Sequence, residues 1–335
     1  MTTQKPKVLL LGATGETGAS ILEGLLSSNQ FDVEILIRPS SATKPATQEL
    51  EKRGIKLRVA DLAGSEKELT SAISGIDVLI SAIGPGDLLQ QKTLVRAAKA
   101  AGVKRFVPCG FITIAPPKGA MLLRDEKEEI YNEIKLLEVP YTIIDVGYWY
   151  QISYPPLPSG KIDYALLKPD GATIHCDGNA PNILTDLRDI GRLVARIIAD
   201  ERTLNQYVFT CGEVLTENEV FGIVEELSGE KIDRVFESTS QIEQNLSTAL
   251  SNYAHSPEAP MTKVFVWMVQ YIHSKYVRAD NRPEYARYLG YLDTRDLYPD
   301  VKPVSFREFF EEVLAGKGVK PYANNTLLDS VKTAK

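Results

Sequence analysis

The run KVLLLGATGETGASILEGLL, residues 7–26, decides the fold. An apolar strand candidate, KVLLLG (7–12), runs straight into glycines at 12, 15 and 18. Beyond them Ile21, Leu22, Leu25 and Leu26 recur at helical spacing. Strand, glycine turn and helix in that order are what a phosphate-binding turn requires. Gly12 permits the tight turn, Gly15 lets the backbone approach a pyrophosphate, and Gly18 lets helix and strand pack closely. With Thr14, Glu16 and Thr17 they form a site at the positive end of the first helix. A turn used only for packing would read the same in isolation. Its place at the head of an alternating pattern favours the phosphate reading.

That pattern continues outward. Further strand candidates are VEILIR (33–38), KLRVAD (56–61), DVLISAIG (77–84), RFVPCG (105–110) and YTIIDVG (141–147). Helical spacing separates them, as in Leu94, Ala97, Ala98 and Ala101. Near-continuous apolar strands that end in Gly or Asp suit a parallel sheet buried on both faces. The expected fold is α/β, a doubly wound parallel sheet of Rossmann type. After Gly147 the alternation weakens, and YWYQISYPPLPSG (148–160) reads as a loop leaving the sheet. Short strands are expected near 162–176 and 206–211, with the helix DIGRLVARIIAD between them. Helices open with capping boxes at Thr216…Glu219 and Ser305…Glu308, and a longer helical region covers roughly 239–278. The expected division is a dinucleotide-binding domain over 1–150, with later segments free to return to it. A smaller mixed α/β substrate domain over 151–325 and a loose tail over 326–335 complete it.

Composition narrows the function. The 335 residues are 44% hydrophobic and 24% charged, enough to bury a real core. A net charge of −6 repels phosphate backbones at long range, so nucleic acid is not an expected partner. No apolar run reaches bilayer length, and the N-terminus lacks the pattern of a signal peptide. Cys109, Cys176 and Cys211 are odd in number and widely spaced, and His175, His255 and His273 have no metal-ligand spacing. A cytoplasmic, metal-free protein is expected, as monomer or homodimer.

The second strand names the dinucleotide. NAD enzymes place an acidic residue about 20 positions after the glycine turn, whereas an arginine nearby accommodates a 2′-phosphate. Here the strand ends in Arg38, with Lys44 shortly after. A guanidinium grips a phosphate bidentately, so NADP(H) is the expected cofactor.

The stretch DEKEEIYNEIKLLEVPYT, residues 125–142, holds two catalytic candidates. Tyr131 and Lys135 have the Tyr-x-x-x-Lys spacing of many short-chain dehydrogenases, and Lys127 lies on the same helix. With GATGETG, LIRPSS, DVLISAIG, AAGVKRFVP, VPYTIIDVG, DERTLNQ and LYPDV in that order, the chain resembles the isoflavone reductase-like proteins. These include the phenylcoumaran benzylic ether and pinoresinol–lariciresinol reductases, within the NmrA-like branch of atypical short-chain dehydrogenases. The resemblance runs from about residue 7 to 312, with a poorly matched stretch near 235–285.

It implies an NADPH-dependent reductase of aromatic small molecules with one catalytic lysine, thirteen residues ahead of the proline of PYT. Counting from Pro140, that lysine is Lys127. The tyrosine of a Tyr-x-x-x-Lys enzyme would fall on Leu123, so Tyr131 and Lys135 are a coincidence of spacing. An ammonium at 127 can stabilise charge on a substrate oxygen and donate a proton. Without a phenol at 123 this suits substrates already activated by conjugation.

The nicotinamide half should lie along Ser81, Ala82, Ile83 and Gly84, then Pro108, Cys109, Gly110 and Phe111, then Val146 and Gly147. The substrate should rest on Phe111, Met121, Tyr148, Trp149, Tyr150 and Tyr154, since aromatics at a domain junction make a floor for a flat ring. Plant members commonly read Pro-Ser-Glu-Phe-Gly where this chain has Pro108-Cys109-Gly110-Phe111-Ile112, so their substrates do not carry over. Two other readings share these motifs: a non-catalytic, dinucleotide-sensing regulator of NmrA-like type, and an isomerase holding NADP⁺.

Overall fold

The computed structural model describes residues 5–167 and 172–323. The expected tail over 326–335 lies outside the described residues. In the first half, strands β1 (Lys7–Leu11), β2 (Asp32–Ile37), β3 (Lys56–Val59), β4 (Val78–Ser81), β5 (Arg105–Val107) and β6 (Thr142–Asp145) alternate with helices. The helices are α1 (Glu16–Ser28), α2 (Pro45–Lys52), α3 (Glu66–Ala72), α4 (Gln91–Ala101) and α5 (Leu122–Leu136). The parallel order β3-β2-β1-β4-β5 is that of a doubly wound sheet. A parallel bridge between Phe106 and Tyr141 carries it on to β6.

The near-continuous apolar strands have a physical reason. Successive side chains point to opposite faces of a strand, and both faces here are covered. Val8 and Leu10 enter one apolar layer while Leu9 and Leu11 enter the other. Ile35 and Ile37 against Leu36, and Val78 and Ile80 against Leu79, divide in the same way.

The second half contains β7 (Tyr148–Trp149), β8 (Thr173–His175), β9 (Asn182–Thr185), α6 (Leu187–Ala199), β10 (Gln206–Phe209), β11 (Glu213–Leu215) and α7 (Glu217–Ser228). It continues with β12 (Val235–Glu237), α8 (Thr239–His255), α9 (Pro260–Ile272), α10 (Pro283–Tyr288), β13 (Leu292–Asp293), α11 (Thr294–Leu297) and α12 (Phe306–Leu314). Strands β7 and β11 flank β9, β8 pairs with β12, and an apolar layer from Tyr150 to Val313 fills the smaller unit. Both expected capping boxes are formed.

Several segments after residue 150 belong to the main sheet. Strand β10 pairs in parallel with β6, and β13 with β10. Helix α6 packs on α1, with Ile190, Leu193, Val194 and Ile197 in the same apolar layer as Val8 and Leu10. The chain crosses to the smaller unit and returns.

The α1–α6 crossing is close because of glycine. A Cβ on Gly191 would stand 1.8 Å from the Ser20 carbonyl oxygen, and one on Gly24 would stand 2.1 Å from the Gly191 carbonyl carbon. The Ser20 hydroxyl donates to the Leu187 carbonyl and accepts the Gly191 amide at 2.9 Å. Gly191→Ala must therefore push the two helix backbones apart, and overpacking of this kind costs about 1–3 kcal/mol. Urea unfolding should show a loss in that range; a loss below about 0.5 kcal/mol, the scatter of an unremarkable surface substitution, would refute the steric account.

Candidate functional site

The carboxyl ends of the parallel strands open into one cleft of about 1440 Å³, walled on its other side by the smaller unit. At its floor the chain leaves β1 through Gly12, which adopts φ +79°, a conformation only glycine takes freely. A Cβ on Gly18 would meet the Gly12 carbonyl oxygen at 2.0 Å. These two glycines therefore shape the turn from beneath, and neither lines the cleft. Thr14, Gly15, Glu16 and Thr17 do line it. Helix α1 starts with Gly15 as its cap and no side-chain acceptor. Its first N–H groups have no side-chain cap, an arrangement suited to an anion.

Three neighbouring strand ends supply the rest of the floor. Ala82, Ile83 and Gly84 follow β4, Cys109, Gly110 and Phe111 follow β5, and Gly147 follows β6. Ser81, Pro108 and Val146 lie one layer below, fully buried in the strand ends, and do not reach the cleft. They belong to the support of the site and not to its surface.

Lys127 comes from α5 and is 4% exposed. Its Nζ donates to the carbonyl oxygens of Cys109 at 2.7 Å and Gly110 at 3.0 Å, and stands 3.7 Å from Cys109 Sγ. A lysine in a charged run would ordinarily face solvent. This one is turned inward, with its ammonium fixed by the chain that follows β5. Leu123, one turn earlier, also lines the cleft. Tyr131 is wholly buried in the opposite apolar layer, and Lys135 is exposed and donates to the Tyr207 hydroxyl at 3.0 Å. Neither reaches the cleft.

Arg38 and Lys44 stand beyond the cleft wall. Arg38 follows β2, beside the glycine turn in the sheet, and its half-exposed guanidinium pairs with Asp87 at 3.0 Å. Lys44 caps α2 at the surface.

Of the expected substrate residues, Phe111, Tyr148, Trp149 and Tyr154 line the cleft. Met121 and Tyr150 do not, and those two assignments are corrected. Met121 is 1% exposed at the start of α5. Tyr150 is enclosed by Phe306 and Phe309, at ring-centroid distances of 5.3 and 5.7 Å, with its hydroxyl 3.3 Å from Glu213. Immediately after β7 the chain enters a short 3₁₀ turn, which directs Tyr150 into the smaller unit's core.

The sequence reading missed the wall contributed by α9 and the π-helical turn that follows it, His273–Val277. Trp267, Met268, Tyr271, Lys275 and Tyr276 face the cleft. The usable signal was the aromatic-rich run VFVWMVQYIHSKY, residues 264–276. Enclosure holds the Tyr148 phenol at about 12, with Glu217 adding to the shift. It pushes Tyr271 up still further. Both phenols stay protonated at neutral pH. At the other rim Tyr322 packs on Trp149 at 5.7 Å and donates its backbone N–H to Glu16 at 2.8 Å. Among the described residues no group of side chains is arranged to hold a metal ion, and no helix is long and apolar enough to cross a membrane.

An inward lysine, a glycine turn at an open helix start and an aromatic wall define a dinucleotide-dependent oxidoreductase cleft, and comparison with known proteins agrees. Residues 4–309 match the NmrA-like family. The asnovolin J 5′,6′-dehydrogenase of Aspergillus novofumigatus is 42% identical over 318 residues, which is 94% of this chain and 97% of that protein. An isoflavone reductase-like protein of Olea europaea is 27% identical over 322 residues, 92% and 98% of the two chains. Among solved structures, the leucoanthocyanidin reductase–NADPH complex of Vitis vinifera superposes with a TM-score of 0.77 at 23% identity, over 92% and 99% of the two chains. That last likeness speaks for the fold. The chain belongs to the NmrA-like family. Within it, the protein is an oxidoreductase of the isoflavone reductase-like type.

Proposed function

We propose that the cleft binds NADP(H) and a conjugated aromatic or phenolic small molecule, and that the protein reduces a conjugated or carbonyl carbon of that molecule. The carrying observation is Lys127 Nζ, buried and held by the Cys109 and Gly110 carbonyls in the same cleft as the glycine turn. The residues present fit the cofactor. The N-terminus of α1 takes the pyrophosphate, and the strand ends at Ala82–Gly84, Cys109–Phe111 and Gly147 form a flat bed for the nicotinamide half. When bound, NADP(H) supplies or accepts the hydride.

The chain's own residues do the rest. Lys127 presents an ammonium to the substrate oxygen, where negative charge grows, and donates a proton to it. Phe111, Tyr148, Trp149 and Tyr154 hold a flat substrate and exclude water. The 42% identical relative is named for the reverse direction, a dehydrogenation. The same geometry serves that direction, with Lys127 taking up the proton it would otherwise give.

Calorimetric titration with NADPH, NADP⁺, NADH and NAD⁺ tests the cofactor. The phosphorylated pair should bind more tightly, and a preference for NAD⁺ would redirect the reading to a redox sensor. An exposed ion pair such as Arg38–Asp87 contributes little, so the guanidinium is available to a 2′-phosphate. Arg38→Ala should weaken NADPH by about tenfold or more, the scale of one lost charge-assisted contact, and leave NADH nearly unchanged. Equal losses for both nucleotides would remove Arg38 from the phosphate site. Activity is then sought with NADPH and a panel of aryl enones and ketones, and with NADP⁺ and their saturated counterparts.

A further inference from the structure

The wall of the cleft formed by the smaller unit carries a cluster whose histidine and carboxylate this chemistry leaves unused. His175 ends β8 and is joined twice to Glu217, the first residue of α7. Its Nδ1 lies 2.7 Å from Glu217 Oε1, and its backbone N–H donates to Oε2 at 2.7 Å. A helix N-terminus favours a carboxylate at that position. Tyr276 lies flat on the imidazole, 4.4 Å between centroids and 3° from parallel. Lys275 donates to the Tyr276 hydroxyl at 3.1 Å, and its ammonium stands 3.3 Å from the centre of the Tyr148 ring. His175, Glu217, Lys275, Tyr276 and Tyr148 all line the cleft.

A structural pin between β8 and α7 needs only the Nδ1 side of the ring. It does not account for the other nitrogen. Nε2 makes no hydrogen bond among the described residues, and Glu237 Oε2 stands 3.6 Å away, too far for one. The Glu217 carboxylate at 2.7 Å favours a proton on Nδ1, so that in the neutral imidazole the lone pair is on Nε2. A base oriented by a carboxylate is the arrangement that proton-transfer sites use.

We propose that His175, oriented by Glu217, exchanges a proton with the carbon α to a substrate carbonyl, so that the cleft takes enolisable ketones. The inference rests on the reading of Lys127 given above, because the enolate oxygen needs that ammonium. The Cα–H bond breaks and its proton passes to Nε2. The electron pair moves onto the carbonyl oxygen, which accepts a hydrogen bond from Lys127. The reverse step returns the proton to carbon. Glu217 stabilises the imidazolium formed between them, and Tyr276 holds the ring plane. The step is complete without any oxidant or reductant.

The test is deuterium uptake at the α-carbons of 2-tetralone, followed by proton NMR in deuterated buffer with NADP⁺-loaded protein. The wild type should exchange these hydrogens faster than buffer alone. His175→Gln should lower the catalysed rate about 100-fold, the usual scale of a lost general base. Glu217→Gln should lower it at least tenfold, and it gives the same answer if His175→Gln does not fold. Circular dichroism and an NADP⁺ titration accompany each variant. A protein that does not bind NADP⁺ sinks the cofactor reading. An NADP⁺-binding protein whose exchange is unchanged in either folded variant, or whose wild type is no faster than buffer, sinks the role of His175.

Discussion

Lys127→Met should abolish turnover while NADPH still binds. The loss expected in kcat is about 100- to 10,000-fold, the range attributed to a positioned proton donor. It should fall on kcat more than on KM, because the ammonium matters most when charge has developed on the substrate oxygen. The thioether keeps the volume of the lysine stem but cannot donate, so the Cys109 and Gly110 carbonyls lose their donor. Two carbonyls left unpaired in a buried site cost about 1–3 kcal/mol each at most. The folded protein should therefore survive, with a lower unfolding midpoint. Single-turnover absorbance at the nicotinamide band, with NADPH affinity measured on the same sample, separates the outcomes. Turnover within tenfold of wild type would remove Lys127 from the chemistry. Loss of NADPH binding together with turnover would instead make it a cofactor ligand.

The features of this molecule that local pattern can specify were legible, and their limits are physical. The glycine turn reads from sequence because two demands coincide within a few residues: a positive φ at Gly12 and contact of Gly18 with the Gly12 carbonyl. The sheet reads because a strand buried on both faces must be apolar at every position. Lys127 is picked out only by the family resemblance, which counts it thirteen residues ahead of Pro140, since DEKEE on a helix looks like a solvated face. What inverts it is tertiary: α5 lies against the chain after β5, and the carbonyls there accept the ammonium.

Long-range pairing leaves no such local mark. The apolar stripe of α6 would look the same whichever sheet it covered, and nothing in QYVF announces that β10 returns to pair with β6. In YWYQISY every aromatic looks equally suited to a binding floor. A short turn after Trp149 sends Tyr150 to Phe306 and Phe309 and leaves Tyr148 and Trp149 on the cleft. The wall from α9 was missed for the opposite reason. Its aromatics sit on a helix with no polar motif, and such a stripe is usually core.

The second large effect lies directly behind the cleft. Arg124, one turn before Lys127 on α5, and Asp145, at the end of β6, form an ion pair at 2.6 Å with side chains 2% and 0% exposed. Tyr291 accepts from Arg124 at 2.5 Å and donates to Asp145 at 2.7 Å, and Glu128 takes the guanidinium Nε at 2.9 Å. Burial works against the Arg124 charge, but Asp145, Tyr291, Tyr131 and Glu128 together hold it well above the usual guanidinium range. Such a pair contributes little over an apolar replacement, yet breaking it strands a charge in the interior. Arg124→Met should therefore cost about 3–5 kcal/mol in urea unfolding. Asp145→Leu alone should cost as much, since it leaves the guanidinium with Glu128 and a phenol. The double variant should recover most of the loss, so that its cost falls about 5 kcal/mol or more below the sum of the two single costs. Because the pair ties the first turn of α5 to β6, the single variants should also loosen Lys127 and lower kcat. The double variant should regain stability without regaining full kcat, because methionine and leucine pack the gap but do not fix the helix start by directed bonds. Additive losses in the double variant would show two independent packing defects, and the pair would then have no role in holding α5.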